Sequence, residues 1–176
     1  MSGSHQIKEA DKIKIIEGPH DKEGCSTVRI FIEDEEVNFV FNGDDSGFRC
    51  FEFSDFYIVC LSDITFEGTD FFINFISKNG EYLETFVPVH LNPHFSYRVG
   101  KFYNNFIEII MEKGERNKSG KNFYKIKMEL FEKPRALHFF RDNFYIFPFR
   151  MKSFSHSKFL PFQKTLYRTT VENYSE

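Results

Sequence analysis

Several stretches of the chain hold the residue types that chemistry uses, so their spacing decides what they can do. Gly114, Gly120 and Lys121 supply the glycines and lysine of a phosphate loop, whose backbone N–H groups cradle an anion. Such a loop needs four residues between its glycines and a hydroxyl after the lysine to reach magnesium; here five residues intervene and Asn122 follows. The segment also lies between two alternating arms, so it reads as a solvated hairpin tip. His90 and His94 have the spacing that would align two imidazoles on one helix face for a metal. Pro93 stands between them and the flank is strand-like, which removes that helix and leaves two loop histidines.

Cys25, Cys50 and Cys60 are odd in number and contain no C-x-x-C pair. Cys50 and Cys60 fall in aromatic stretches, where a buried thiol behaves as a small apolar group; Cys25 lies in a more polar stretch, where activation would need a neighbouring cation. Carboxylates crowd residues 33–36, 44–45, 52–55 and 63–70, a pattern of solvated turns rather than of a paired general acid and base. The sequence therefore assigns no catalytic residue, no metal ligand and no cofactor, and the chain is not read as an enzyme.

Two stretches suit binding instead. The acidic run Glu33, Asp34, Glu35, Glu36, followed by Asp44 and Asp45, would meet a protein partner with a basic surface. A calcium loop is not available there, because the ordered set of oxygen ligands and the defining glycine are absent. The plainer role for the run is a charged hairpin tip that keeps sheets from associating. Residues 135–168 hold ten aromatics and seven Lys or Arg against one acid, Asp142. Arg150, Lys152, Lys158, Lys164 and Arg168 could track a phosphate backbone while Phe154, Phe159 and Phe162 stack on bases, as single-strand binders do. A membrane surface would use the same composition. The competing reading puts Phe139, Phe140, Phe144, Phe147 and Phe149 in core strands, with the rest of the segment docked on them.

The elements that must position these residues follow from a period of two that runs from residue 27 to about residue 149. The clearest hairpin joins Phe106–Glu112 to Phe123–Phe131. Ile107, Ile109 and Met111 share one face of it with Tyr124, Ile126, Met128 and Leu130, while Glu108 and Glu112 oppose Lys125 and Lys127 on the other. Asn79-Gly80 predicts a type I′ turn between Phe71–Ser77 and Glu81–Val89. Val28, Ile30 and Ile32 alternate before the acidic run and Val37, Phe39 and Phe41 after it, a third hairpin. Phe48–Phe53 and Phe56–Leu61 add strands, and Leu137–Phe140 pairs with Phe144–Phe149 around Asp142-Asn143.

At 176 residues and 21.0 kDa the chain has the size of one domain, and 25 Phe with 8 Tyr and no Trp supply a core rich in phenylalanine. About nine or ten short strands predict a mainly β, single-domain antiparallel β-sandwich or barrel. Its parts are a polar segment over residues 1–24, a β domain over 25–150 and a basic aromatic segment over 151–176 docked on the same domain. Both ends are expected to be irregular or to hold one short helix. The net charge of −3 is uneven: residues 1–70 carry 6 basic and 16 acidic side chains, residues 71–134 carry 10 and 7, and residues 135–176 carry 7 and 3. No apolar run approaches the roughly 20 residues of a membrane helix, and nothing resembles a signal peptide. With the odd cysteine count, these features predict a cytoplasmic location. The expected function is non-enzymatic protein–protein recognition, inhibitor-like or adaptor-like; the alternatives are single-stranded nucleic-acid binding through the C-terminal third and an apolar-ligand-binding β-barrel.

Overall fold

A computed structural model describes residues 6–20, 22, 25–45, 47–65, 68–88, 95–113, 122–138 and 162–174. Thirteen strands and no helix are found among them, so no helix there is long and apolar enough to cross a membrane. The strands fall into two compact units, residues 6–87 and a unit containing residues 88–176.

The first unit holds β1 (Lys8–Glu9), β2 (Ile13–Glu17), β3 (Thr27–Ile32), β4 (Glu35–Glu36), β5 (Phe41–Asn42), β6 (Arg49–Phe53), β7 (Phe56–Thr65), β8 (Gly68–Ser77) and β9 (Tyr82–Phe86). They form an antiparallel five-stranded sheet in the order β1-β6-β7-β8-β9 and a smaller sheet, β2-β3-β4, with β5 also paired to β3. Alternation decides what meets between them. Val28, Ile30 and Ile32 of β3, with Val37 and Phe41, pack against Tyr57, Val59 and Leu61 of β7 and Ile76 of β8, a sandwich-like arrangement flanked by Ile13, Ile15 and Phe72. The opposite face of the larger sheet carries Phe51, Phe53, Phe56, Ile58, Ile73, Phe75 and Phe86, all buried. A strand buried on both faces loses its alternation, which is why Phe56–Leu61 is apolar throughout. Successive rings touch along that face, Phe53 to Phe56 at 5.6 Å and Phe56 to Phe75 at 5.8 Å between centroids. The aromatic core expected from composition is present.

The second unit is one antiparallel sheet, β10 (Phe95–Tyr103), β11 (Phe106–Lys113), β12 (Asn122–His138) and β13 (Phe162–Tyr174), in that order. The hairpin read most clearly from sequence is present with its two faces as expected, Ile107 opposite Met128, Ile109 opposite Ile126 and Glu108 opposite Lys127. Lys125 Nζ lies 3.3 Å from Glu108 Oε1, the cross-strand charge pairing its alternation implied. None of the sheets' strand orders closes into a barrel among the described residues.

Several expectations change. The ends carry regular strands: β1 and β2 lie within residues 1–24 and β13 within residues 151–176. In β13 the inward positions include Thr165 and Thr169, both buried, so polar side chains hide its period. Strand β10 was not expected, because a register shift between Val99 and Phe102 breaks its alternation midway. The turn at Asn79-Gly80 is not of type I′. Ser77 accepts from the Gly80 N–H at 3.0 Å and Gly80 alone takes a positive φ of 80°, so Lys78-Asn79-Gly80 is a tight turn followed by a left-handed glycine. The two-residue turn with both φ positive is instead Glu33-Asp34, at 50° and 70°. The expected pair 137–140 with 144–149 lies mostly outside the described residues, as do the 114–121 loop and both histidines at 90 and 94.

Candidate recognition surface

The return arm of the β3 hairpin departs from regular pairing at one place. Between the pairs Phe31–Glu36 and Val28–Phe41, β3 advances three residues while the returning chain advances five. Val37 still donates its N–H to the Ile30 carbonyl at 2.9 Å, and Phe39 donates to the Val37 carbonyl at 2.7 Å, a three-residue turn that starts the bulge. The two extra residues release Phe39 and Val40 from the period that keeps Val37 and Phe41 buried. The sequence placed Phe39 with Val37 and Phe41 on one face; this insertion puts it outside.

Phe39 stacks on Tyr82 of β9, with centroids 3.9 Å apart and planes 5° from parallel. The buried Phe41 meets both rings edge-on, at 4.8 Å from Phe39 and 6.2 Å from Tyr82. Tyr82 is fixed from its other end. Its hydroxyl donates to Thr85 Oγ1 at 3.1 Å, Thr85 donates to Asn74 Oδ1 at 2.8 Å, and the buried Asn74 donates through Nδ2 to the Val59 carbonyl at 3.3 Å. The result is a rigid apolar platform at the surface: Val40 is 66% exposed, Phe39 40% and Tyr82 37%. Leu83, the next residue and 41% exposed, is the extra residue of a second bulge, since Tyr82 pairs Ile76 while Glu84 pairs Phe75. Sequence reasoning did not single out these four residues; the only hint was two adjacent apolar residues, Phe39-Val40, where alternation calls for one.

The acidic residues expected to meet a partner are placed nearby in the chain, and not all are equally available. Glu33 pairs with Lys12, and Glu36 Oε2 lies 3.7 Å from Arg29. Asp34, Glu35 and Asp45 form no ion pair among the described residues. Asp44 points its backbone N–H at the Ser62 carbonyl, 2.8 Å away, an approach made possible by Gly43, where a Cβ would stand 2.8 Å from that of Leu61. This brings Asp44 beside Asp63 of β7, whose direct partner on β8 is Asp70. Burial foremost, then the charges of Asp44 and Asp70, push the Asp63 carboxyl up, against hydrogen bonds from Ser26. Among the described residues no group of three or more His, Cys, Asp or Glu could hold a metal ion.

Of the residues of the nucleic-acid alternative, three lie among the described residues. Arg150, Lys152, Phe154, Lys158 and Phe159 lie outside the described residues. Phe162 opens β13 opposite His138, Lys164 is exposed, and Arg168 sits opposite Glu129 with its guanidinium 5.9 Å from the Phe131 ring. On the same sheet Lys125 is engaged by Glu108. Two of the described cations of this unit, Lys125 and Arg168, thus sit beside acids on the ladder.

The thiols of β6 and β7 are held in their neutral form. Burial pushes the Cys50 thiol up to about 12 and raises that of the buried Cys60 further, so both stay protonated near neutral pH. Charge, by contrast, is strongly partitioned. Residues 6–87 hold 7 Lys and Arg against 18 Asp and Glu, a net of −11, and residues 88–176 hold 16 against 8, a net of +8. No family model, no curated protein and no solved structure matches the chain.

Proposed function

We propose that the chain is a non-enzymatic cytoplasmic binding protein whose acidic unit, residues 6–87, recognises another protein through a basic surface, as an inhibitor or adaptor does. One observation carries this reading: an excess of eleven negative charges is confined to one compact unit of a chain whose total is only −3. A field of that kind steers a basic partner and rejects acidic ones. Asp34, Glu35 and Asp45 are the acids best placed to act, because no internal cation holds them among the described residues. Protonated thiols at the half-buried Cys50 and the buried Cys60 suit a reducing compartment.

The test is association kinetics with a partner recovered from cells at physiological salt. Asp34→Lys, Glu35→Lys and Asp45→Lys together should slow association about tenfold or more and flatten its salt dependence, with circular dichroism unchanged. An on-rate indifferent to these reversals would reduce the acidic surface to a solubility device.

A further inference from the structure

We infer that the Phe39–Val40–Tyr82 platform is the contact point of this recognition, and that its occupant is a partner segment presenting an arginine or lysine beside an apolar side chain. The inference rests on the acidic-unit reading and specifies its site.

The first support is the bulge itself. The core beneath it is already closed by Val37 and Phe41, so the two inserted residues fill no internal space. They forfeit ladder pairing opposite Arg29 and leave Val40 the most exposed large apolar side chain among the described residues. Bulges recur where a strand must re-aim a side chain for function. The second support is rigidity. Phe39 is held by Tyr82 and Phe41, and Tyr82 by the hydrogen-bonded relay to Asn74, so little side-chain freedom remains to be lost on binding.

Charge complementarity selects the occupant. No Lys or Arg occurs from Glu33 to Phe48 or from Asn79 to Val87, the two stretches that build the platform, whereas Asp34, Glu35, Glu36, Asp44, Asp45, Glu81 and Glu84 do. The cations that flank these stretches in sequence are already engaged, Arg29 with Glu36, Arg49 with Glu9 and Lys78 with Glu52 at 2.7 Å. An aromatic face in such surroundings attracts a cation by its quadrupole as well as by the nearby carboxylates, while the exposed Val40 offers an apolar contact.

The experiment titrates the full chain against a short capped fluorescent peptide alternating arginine with leucine, alongside versions with Glu for Arg and with Ser for Leu. The arginine–leucine peptide should bind, the glutamate version should not, and the serine version should bind about tenfold more weakly. Val40→Ser, which disturbs no buried group, and Phe39→Ser should each weaken the first peptide about tenfold. Equal binding of the serine version, or no effect of Val40→Ser, overturns the inference while leaving acidic recognition intact. Failure of the arginine–leucine peptide to bind at all overturns it too, and the kinetic test above then judges the broader reading separately. Sedimentation showing a dimer that Val40→Ser dissociates would assign the platform to a second copy of this chain and likewise overturn it.

Discussion

Asp63 is a carboxyl that the fold keeps 7% exposed, directly across the ladder from Asp70 and beside Asp44. Its raised pKa means that the fold prefers the protonated form. The stabilising contribution of that form is complete below the ordinary carboxylate range and is lost as pH rises through the raised value, so at neutral pH the charged group works against folding. Asp63→Asn keeps an oxygen to accept from Ser26 and removes the charge. Urea denaturation should find it more stable than the parent at pH 7, with the advantage shrinking as pH falls into the carboxylate range; an advantage that grows on acidification would refute the sign. Cys60 offers a second residue-level check. Buried and with its thiol held protonated, it should resist iodoacetamide in the native protein at pH 8 and react on unfolding, as read by peptide mass spectrometry.

At the scale of elements, the β11–β12 hairpin is the firmest part of the fold and also its most legible. Ile126 and Met128 are fully buried opposite Ile109 and Ile107, so either one changed to Ala should lose about 2–5 kcal/mol in chemical denaturation. A loss under about 1 kcal/mol would mean that this face is not a core face. The hairpin was readable because its inward period is unbroken where it matters: Ile107, Ile109 and Met111 face Met128, Ile126 and Tyr124, while most of the charges, Glu108, Glu112, Lys125, Lys127 and Glu129, fall on the other face. Elements became illegible wherever an extra residue or a buried polar one broke that rule. β10 shifts phase after Val99, β13 sets Thr165 and Thr169 inward, and the β3 return arm inserts two residues that turn Phe39 outward. The acidic half of the candidate surface was visible as a run of charge. Its aromatic half was not, because stacking Phe39 on Tyr82 joins two hairpins some forty residues apart, and no local pattern encodes that pairing.

At the scale of the whole molecule, a net charge of −3 conceals two units of −11 and +8. Ionic strength decides which of these numbers a charged surface experiences. At about 0.01 M salt the screening length is roughly 30 Å and the total dominates, whereas at about 0.1 M it is roughly 10 Å and each surface acts through its own charges. A protein carrying −3 evenly would bind an anion exchanger weakly and pass a cation exchanger at pH 7. This chain should be retained by both at about 0.1 M salt. The acidic side chains of residues 6–87 hold it to the first, and exposed cations including Lys101, Lys133, Arg135 and Lys164 hold it to the second. Changing those four cations to Ser should release the protein from the cation exchanger without weakening its hold on the anion exchanger. Passage of the parent protein straight through the cation exchanger would mean that its positive charges are compensated where they stand, and the electrostatic partition would then not extend beyond the sequence.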